Sequence, residues 1–291
     1  MGLYLLLAVL ASALMAAGLV LMKSRAATLP KAAGRSTLRA VLAWIRDPIW
    51  LGGVGLETLG YAAYIVAVSG APVSMVAVMM EGGIAMFVIF AVVFLSERAS
   101  PREWLGIATI VIAMTLLGLS LSAGETSGAP GTLRLAEVTV AIVMFSVLPM
   151  TAARWRESGM AAAIVSGFAF GLGSLYAKAM TDYFIAEPAA EIALRILANP
   201  YVYLAIAANI AGMILLQNSF HSARGIVALP ISSALSNLIP IAGGMIAFGE
   251  GLPADHVAAG LRIGAFALTV TASLLLAGAE DAAAIRVAST S

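Results

Sequence analysis

Residues 50–94 read WLGGVGLETLGYAAYIVAVSGAPVSMVAVMMEGGIAMFVIFAVVF: an apolar run, a Ser69-Gly70-Ala71-Pro72 turn, and a second apolar run. Each arm carries one carboxylate, Glu57 and Glu81, and neither carries a basic residue. At ~1.5 Å of rise per residue, Glu57 lies about 18 Å below the turn and Glu81 about 15 Å below it on the returning arm. Half of a ~30 Å hydrocarbon core is about 15 Å, so both acids fall near its midplane. An ionised acid there costs about 2.5 to 3.5 kcal/mol on insertion scales, which makes function the default reading of both.

The rest of the chain agrees with a membrane setting. Of 291 residues 62% are hydrophobic and 11% charged, against roughly 25% charged in a soluble domain. A net charge of +1 with scattered Arg argues against a nucleic-acid partner. The absence of Cys removes disulfides and thiolate metal sites. With two His and no HExxH or GxSxG run, hydrolase and protease sites find no support, so an enzyme is not expected. Residues 3–22 resemble a signal peptide only in apolarity: Lys23 and Arg25 follow the run instead of preceding it, and the run reads as a retained first span.

Runs long enough to span occur near 3–22, 49–69, 72–95, 103–122, 135–151, 160–180, 200–220, 226–248 and 257–278. The expected fold is all-α, a polytopic transmembrane helix bundle of about nine spans. Lys23, Arg25, Lys31, Arg35, Arg39 and Arg46 place loop 23–47 in the cytoplasm. Counting onward gives twelve basic residues inside and four outside, the latter being Arg134, Lys178, Arg195 and Arg262. The expected setting is a cell membrane, with the N-terminus outside and the C-terminus cytoplasmic.

The chain also echoes itself. Asp47-Pro48 opens the second span and Asn199-Pro200 the seventh. Glu97 follows the third span and Glu250 the eighth; Gly18 through Lys23 lines up with Gly173 through Lys178. The expected plan is a first repeat over 1–122, a loop and connector span over 123–158, a second repeat over 159–280 and a tail over 281–291. One connector helix makes these two four-helix repeats inverted in topology, an arrangement found in many secondary transporters with midplane sites.

The Gly-rich first span ending in Lys23, the Ser96-Glu97-Arg98 turn with Trp104-Leu105-Gly106, and Gly249-Glu250-Gly251 resemble the drug/metabolite transporter superfamily. Nine spans, the Trp50-Leu51-Gly52-Gly53 start and the Tyr61-Ala62-Ala63-Tyr64 run are most similar to its NIPA-like magnesium transporter branch, with the EamA type second. The resemblance implies a permease for Mg²⁺ or another small cation. Met79-Met80-Glu81-Gly82-Gly83 departs from the Thr-Pro-Leu-Gly run of that branch. The alternative is a proton-coupled exporter of a small organic metabolite or amine; a non-transporting membrane protein or embedded enzyme is the competing class. No cofactor is expected beyond transported Mg²⁺ or H⁺, and the partners are the lipid bilayer, a small cationic solute and, for an assembled form, a second copy in a homodimer.

Candidate binding residues follow from depth. Glu57 and Glu81 together could hold Mg²⁺ with retained waters or share a proton. Tyr61 and Tyr64, four and seven residues after Glu57, could stack on an organic cation. Asn209 stands where Glu57 would under the repeat, while Ser233 and Asn237 flank the place of Glu81 and offer neutral oxygens. Lys178 could reach a central cavity, although a Lys at a helix end commonly snorkels to the headgroups.

Overall fold

The computed structural model describes the backbone of residues 2–32, 36–70, 73–120, 132–151, 159–181, 198–249 and 252–290. Within these, side chains are described except at 2, 5, 65, 68–70, 73–79, 81, 180, 181, 241, 273, 274 and 277–290. Among the described residues there are ten helices and no strand. In chain order they are α1 (Gly2–Arg25), α2 (Thr37–Trp44), α3 (Pro48–Gly70), α4 (Val73–Phe94), α5 (Pro101–Ser120), α6 (Thr132–Thr151), α7 (Met160–Thr181), α8 (Pro200–Phe220), α9 (Gly225–Ala247) and α10 (His256–Thr290).

Local chemistry starts these helices. The Asp47 carboxylate accepts the Ile49 and Trp50 amides at 3.1 and 2.8 Å, and Asn199 accepts the Tyr201 amide at 2.9 Å. In both cases the next residue is a proline, whose missing N–H costs nothing in a first helical turn. At α5 the Ser100 hydroxyl accepts from the Glu103 amide at 3.3 Å while the Glu103 carboxylate accepts from the Ser100 amide at 2.6 Å, a reciprocal capping box.

The packing falls into two groups. α1 lies against α3 and α4, and α7 lies against α8 and α9. α5 and α10 pair with each other, α4 meets α9 across the middle, and α6 leans on α7 and α9. The main apolar core sits where α4, α5, α9 and α10 converge, around Phe87, Ile110, Ile226, Ile231 and Leu276.

Among the described residues six helices are long and apolar enough to cross a membrane: α1, α5, α6, α7, α8 and α9. Shorter apolar stretches run over Gly82–Phe94 and His256–Ala272. The outward faces are apolar as well: Val140, Met144, Phe145 and Leu148 on α6 and Tyr203, Ile206 and Ile210 on α8 are exposed. Such contiguous faces are rare in water and suit contact with lipid tails. The chain is a helical bundle of multi-pass membrane character.

Two features differ from the sequence reading. Helix α10 continues to Thr290, so most of the segment read as a tail is helical. Arg262, counted there with the outside charges, is buried within α10 at 3% exposure and donates to the Ser120 carbonyl at 3.2 Å. An average over an apolar window does not register one arginine whose charge is absorbed at the end of a neighbouring helix.

Candidate functional site

A cavity of about 270 Å³ lies at mid-helix depth between α1, α4 and α9. Its walls are Ser12, Met15, Ala16 and Leu19 from α1, Met80, Gly83 and Ile84 from α4, and Leu229, Ser233 and Asn237 from α9. Two of the expected residues, Ser233 and Asn237, thus face one cavity. The Ser12 hydroxyl turns back to the Val9 carbonyl at 2.9 Å, and the Asn237 amide donates to the Ser233 carbonyl at 3.1 Å. The described lining is apolar with three neutral polar groups and no charge. Glu81 follows Met80 directly in α4, but its side chain lies outside the described residues.

Glu57 occupies a different place. On α3 it sits in the row Gly53, Glu57, Gly60, Tyr64 that faces α1, and it is not part of the cavity wall. The two helices approach closely here: a Cβ at Gly18 would stand 2.5 Å from the Gly53 carbonyl oxygen and 3.0 Å from Glu57 Cγ. Among the described residues the Glu57 carboxyl has no hydrogen-bond or ion-pair partner.

Asn209 makes the matching contact in the other group. A Cβ at Gly173 of α7 would collide with its amide nitrogen, which donates to the Ala205 carbonyl one turn back at 2.8 Å.

The two tyrosines part company. At about 100° per residue, i+7 returns to within about 20° of Glu57 while i+4 overshoots by about 40°. Tyr64 accordingly packs near Ala8 and Ala67 against α1, whereas Tyr61 is 57% exposed on the outer face, its ring 6.0 Å from that of Tyr64. Lys178 stands at the last turn of α7 with its ammonium 5.0 Å from the centre of the Phe248 ring. Among the described residues no three His, Asp or Glu side chains gather as a metal site.

The strongest polar constellation brings together Lys23 and Glu97, which the sequence offers as marks of the repeat and the resemblance, with partners on α5 and α9 that their spacing does not reveal. At the end of the bundle that carries loop 26–47, the turn after α4 closes on the start of α9. Ser96 adopts a left-handed φ of 55°, and the Glu97 carboxylate accepts the Gly225 and Ile226 amides at 2.9 and 3.0 Å. These are orphan donors of a helix N-terminus, where a carboxylate is favoured twice over. Lys23, 3.8 Å from Glu97, donates to the carbonyls of Phe220 and Ala223 at 2.6 and 2.8 Å at the end of α8. Arg224 pairs with the buried Glu103 and donates to the Arg98 carbonyl at 3.0 Å. This closure joins α1, α4 and α5 to α8 and α9 below the cavity.

The basic loop is fastened beside it. Ala32 and Asn218 exchange two hydrogen bonds of 2.9 and 2.7 Å, and Arg25 grips Asp47 at 2.8 Å. The Arg25 contact, with the Trp50 amide, holds the Asp47 carboxyl below the ordinary aspartate value. Burial, with Lys31 and Lys23 nearby, pushes His221 at the end of α8 below the ordinary histidine value.

A second cavity of about 560 Å³ lies between α1, α3 and α4. Its wall is apolar except for Ser24 and includes the exposed Phe94, which makes it a notch in the lipid-facing surface. No protein-family model, no curated protein and no solved structure matches this chain.

Proposed function

We propose that this protein is a secondary transporter of the drug/metabolite type, built from two inverted repeats around the cavity between α1, α4 and α9. The observation that carries this reading is the position of the cavity: mid-depth, between α1 and α4 of one packing group and α9 of the other. Three correspondences support the repeat. Gly18 under Glu57 matches Gly173 under Asn209; Asp47-Pro48 and Asn199-Pro200 open equivalent helices; and Ser96 and Gly249, each preceding a glutamate, both take left-handed φ after α4 and α9. In the reading of nine spans, α3, α4 and α10 cross along with the six helices above.

The cargo class that fits best is a small amphipathic organic solute, an amine foremost. The described wall offers apolar surface, two thioethers and three neutral polar groups, which suit an organic body. A bare Mg²⁺ prefers an octahedral oxygen shell with carboxylates. Glu81 on the cavity-lining helix is the candidate partner for the amine charge. Glu57, in the α1–α3 seam, suits a proton or a structural role better than direct cargo contact.

The test is flux in proteoliposomes under imposed pH and ion gradients, scored for a panel of amines and for Mg²⁺. Wild type should move an amine, and Ser233→Phe, which fills the cavity, should abolish that flux while leaving the helical spectrum intact. Flux that is unaffected by Ser233→Phe, or no flux of any cargo, overturns the proposal; flux of Mg²⁺ alone replaces the cargo class.

A further inference from the structure

Helix α2 presents three different faces, and each matches a different medium. At about 100° per residue, Ala40 and Trp44 share one side, and both are 1% exposed. They are buried among Met22, Trp50, Met213 and Ile214, and the Trp44 indole donates to the Pro30 carbonyl at 2.9 Å. Leu38, Leu42 and Ile45 form a row on the opposite side and are 70%, 39% and 47% exposed. Arg39 and Arg46 lie about a quarter turn from that row, and both are exposed. Among the described residues neither is in an ion pair, whereas neighbouring Arg25 is already matched by Asp47.

A helix lying along the membrane surface beside a bundle meets three surroundings: the bundle on one side, lipid tails on the other, headgroups and water above. The Trp44, Leu38 and Arg39 faces fit these in turn. We propose that α2 is a docking surface for an anionic phospholipid in the leaflet at the basic end. Leu38, Leu42 and Ile45 lie along an acyl chain, and Arg39 and Arg46 reach its headgroup phosphate. A basic side chain near an anionic bilayer surface favours association about fivefold, and an exposed apolar row makes this an interfacial helix and not a solvated one. The hydrogen bonds between Ala32 and Asn218 fasten the same loop to the end of α8, so lipid held at α2 braces the segment next to the Glu97 closure. This inference requires a membrane setting but not transport.

The native chain has no cysteine, so Leu38→Cys gives a unique attachment point for a fluorophore. The full-length labelled protein is placed in phosphatidylcholine nanodiscs with increasing amounts of brominated phosphatidylglycerol or brominated phosphatidylcholine. Half-quenching should need at least about fivefold less of the anionic lipid, and about 25-fold less with both arginines engaged. Arg39→Gln with Arg46→Gln should erase the difference, and Arg39→Lys with Arg46→Lys should keep it. Equal quenching by both lipids with the native arginines, a preference that survives the double Gln substitution, or no quenching by either lipid overturns the proposal. Loss of transport with lipid preference intact would count against the transporter reading and leave this one standing.

Discussion

The α1–α3 and α7–α8 seams solve the same packing problem with different chemistry. In each, a glycine on the first helix lets a polar side chain of the second lie across it. In one seam the side chain is Glu57, without a partner among the described residues; in the other it is Asn209, satisfied by its own helix. The contact beneath also differs. At Gly18 the nearest obstacle to a side chain is the Gly53 backbone, while at Gly173 it is the end of the Asn209 side chain. The second seam therefore has a way to yield and no charge to manage. The first has neither property, which makes the ionisable seam the place to test for a role beyond packing.

The largest effect should come from filling these glycines. Gly18→Ala forces a methyl against backbone and should lower unfolding stability in detergent by about 1–3 kcal/mol, with no recovery when Glu57→Ala is added. Gly173→Ala should cost less, and Asn209→Ala should restore it. Circular dichroism melts would show this, and equal losses at the two sites, or rescue of Gly18→Ala by Glu57→Ala, would erase the distinction between the seams.

Next comes charge. Glu57→Gln preserves shape and should leave the melt unchanged or raised while cutting proton-coupled flux by about tenfold or more, the equivalent of about 1.4 kcal/mol. Asn209→Leu should leave the pH dependence of flux intact. Normal flux through Glu57→Gln would reduce that residue to a packing role.

The closure at the basic end gives a third effect. Glu97→Gln replaces one acceptor oxygen by a donor facing an α9 amide while the other still accepts, and one net hydrogen bond is worth about 0.5–1.5 kcal/mol. The melt should fall, and the cavity should become reachable from the basic side.

The smallest expected effect is in pH. His221 is held below the ordinary value of 6.5, so the unfolded chain binds its proton first as pH drops. Stability from this group is complete above pH 6.5 and is lost as pH falls below it toward the folded value. Asp47 acts lower: its contribution is present above the ordinary 3.8 and lost as pH falls through the depressed folded value. His221→Asn should flatten the melting profile just below pH 6.5, and Arg25→Gln the one below pH 4.

Much of the framework was legible because it is local. Apolar runs, the Asp47-Pro48 and Asn199-Pro200 starts, and Gly18 with Lys23 are read within a few residues of themselves. Ser233 and Asn237 come from laying the second repeat over the first, where they flank the place of Glu81. What was hidden joins distant segments. Lys23, Glu97 and Gly225 meet only after α1, α4 and α9 have packed, and each alone looks like a charge near a helix end or an ordinary glycine. Ser100-Pro101-Arg102-Glu103 did carry a local capping-box signal; its pairing with Arg224 did not. Tyr61 and Tyr64 follow Glu57 by four and seven residues, and only the helix angle, about 40° against about 20°, separates the exposed ring from the one packed on α1. Glu57 and Glu81 share a depth in sequence, yet Glu57 faces α1 in a seam that depth alone does not locate.

The most direct test is the accessibility of the cavity from the two sides of the membrane. A single Ser233→Cys in the naturally cysteine-free chain should react with an impermeant thiol reagent from the side opposite the basic loop and be shielded from the basic side. Glu97→Ala should open the basic-side route, and a transported amine should slow labelling from either side. Failure to react from both sides, or equal reaction from both that Glu97→Ala leaves unchanged, would contradict a cavity with a closure beneath it and, with it, the transporter built around them.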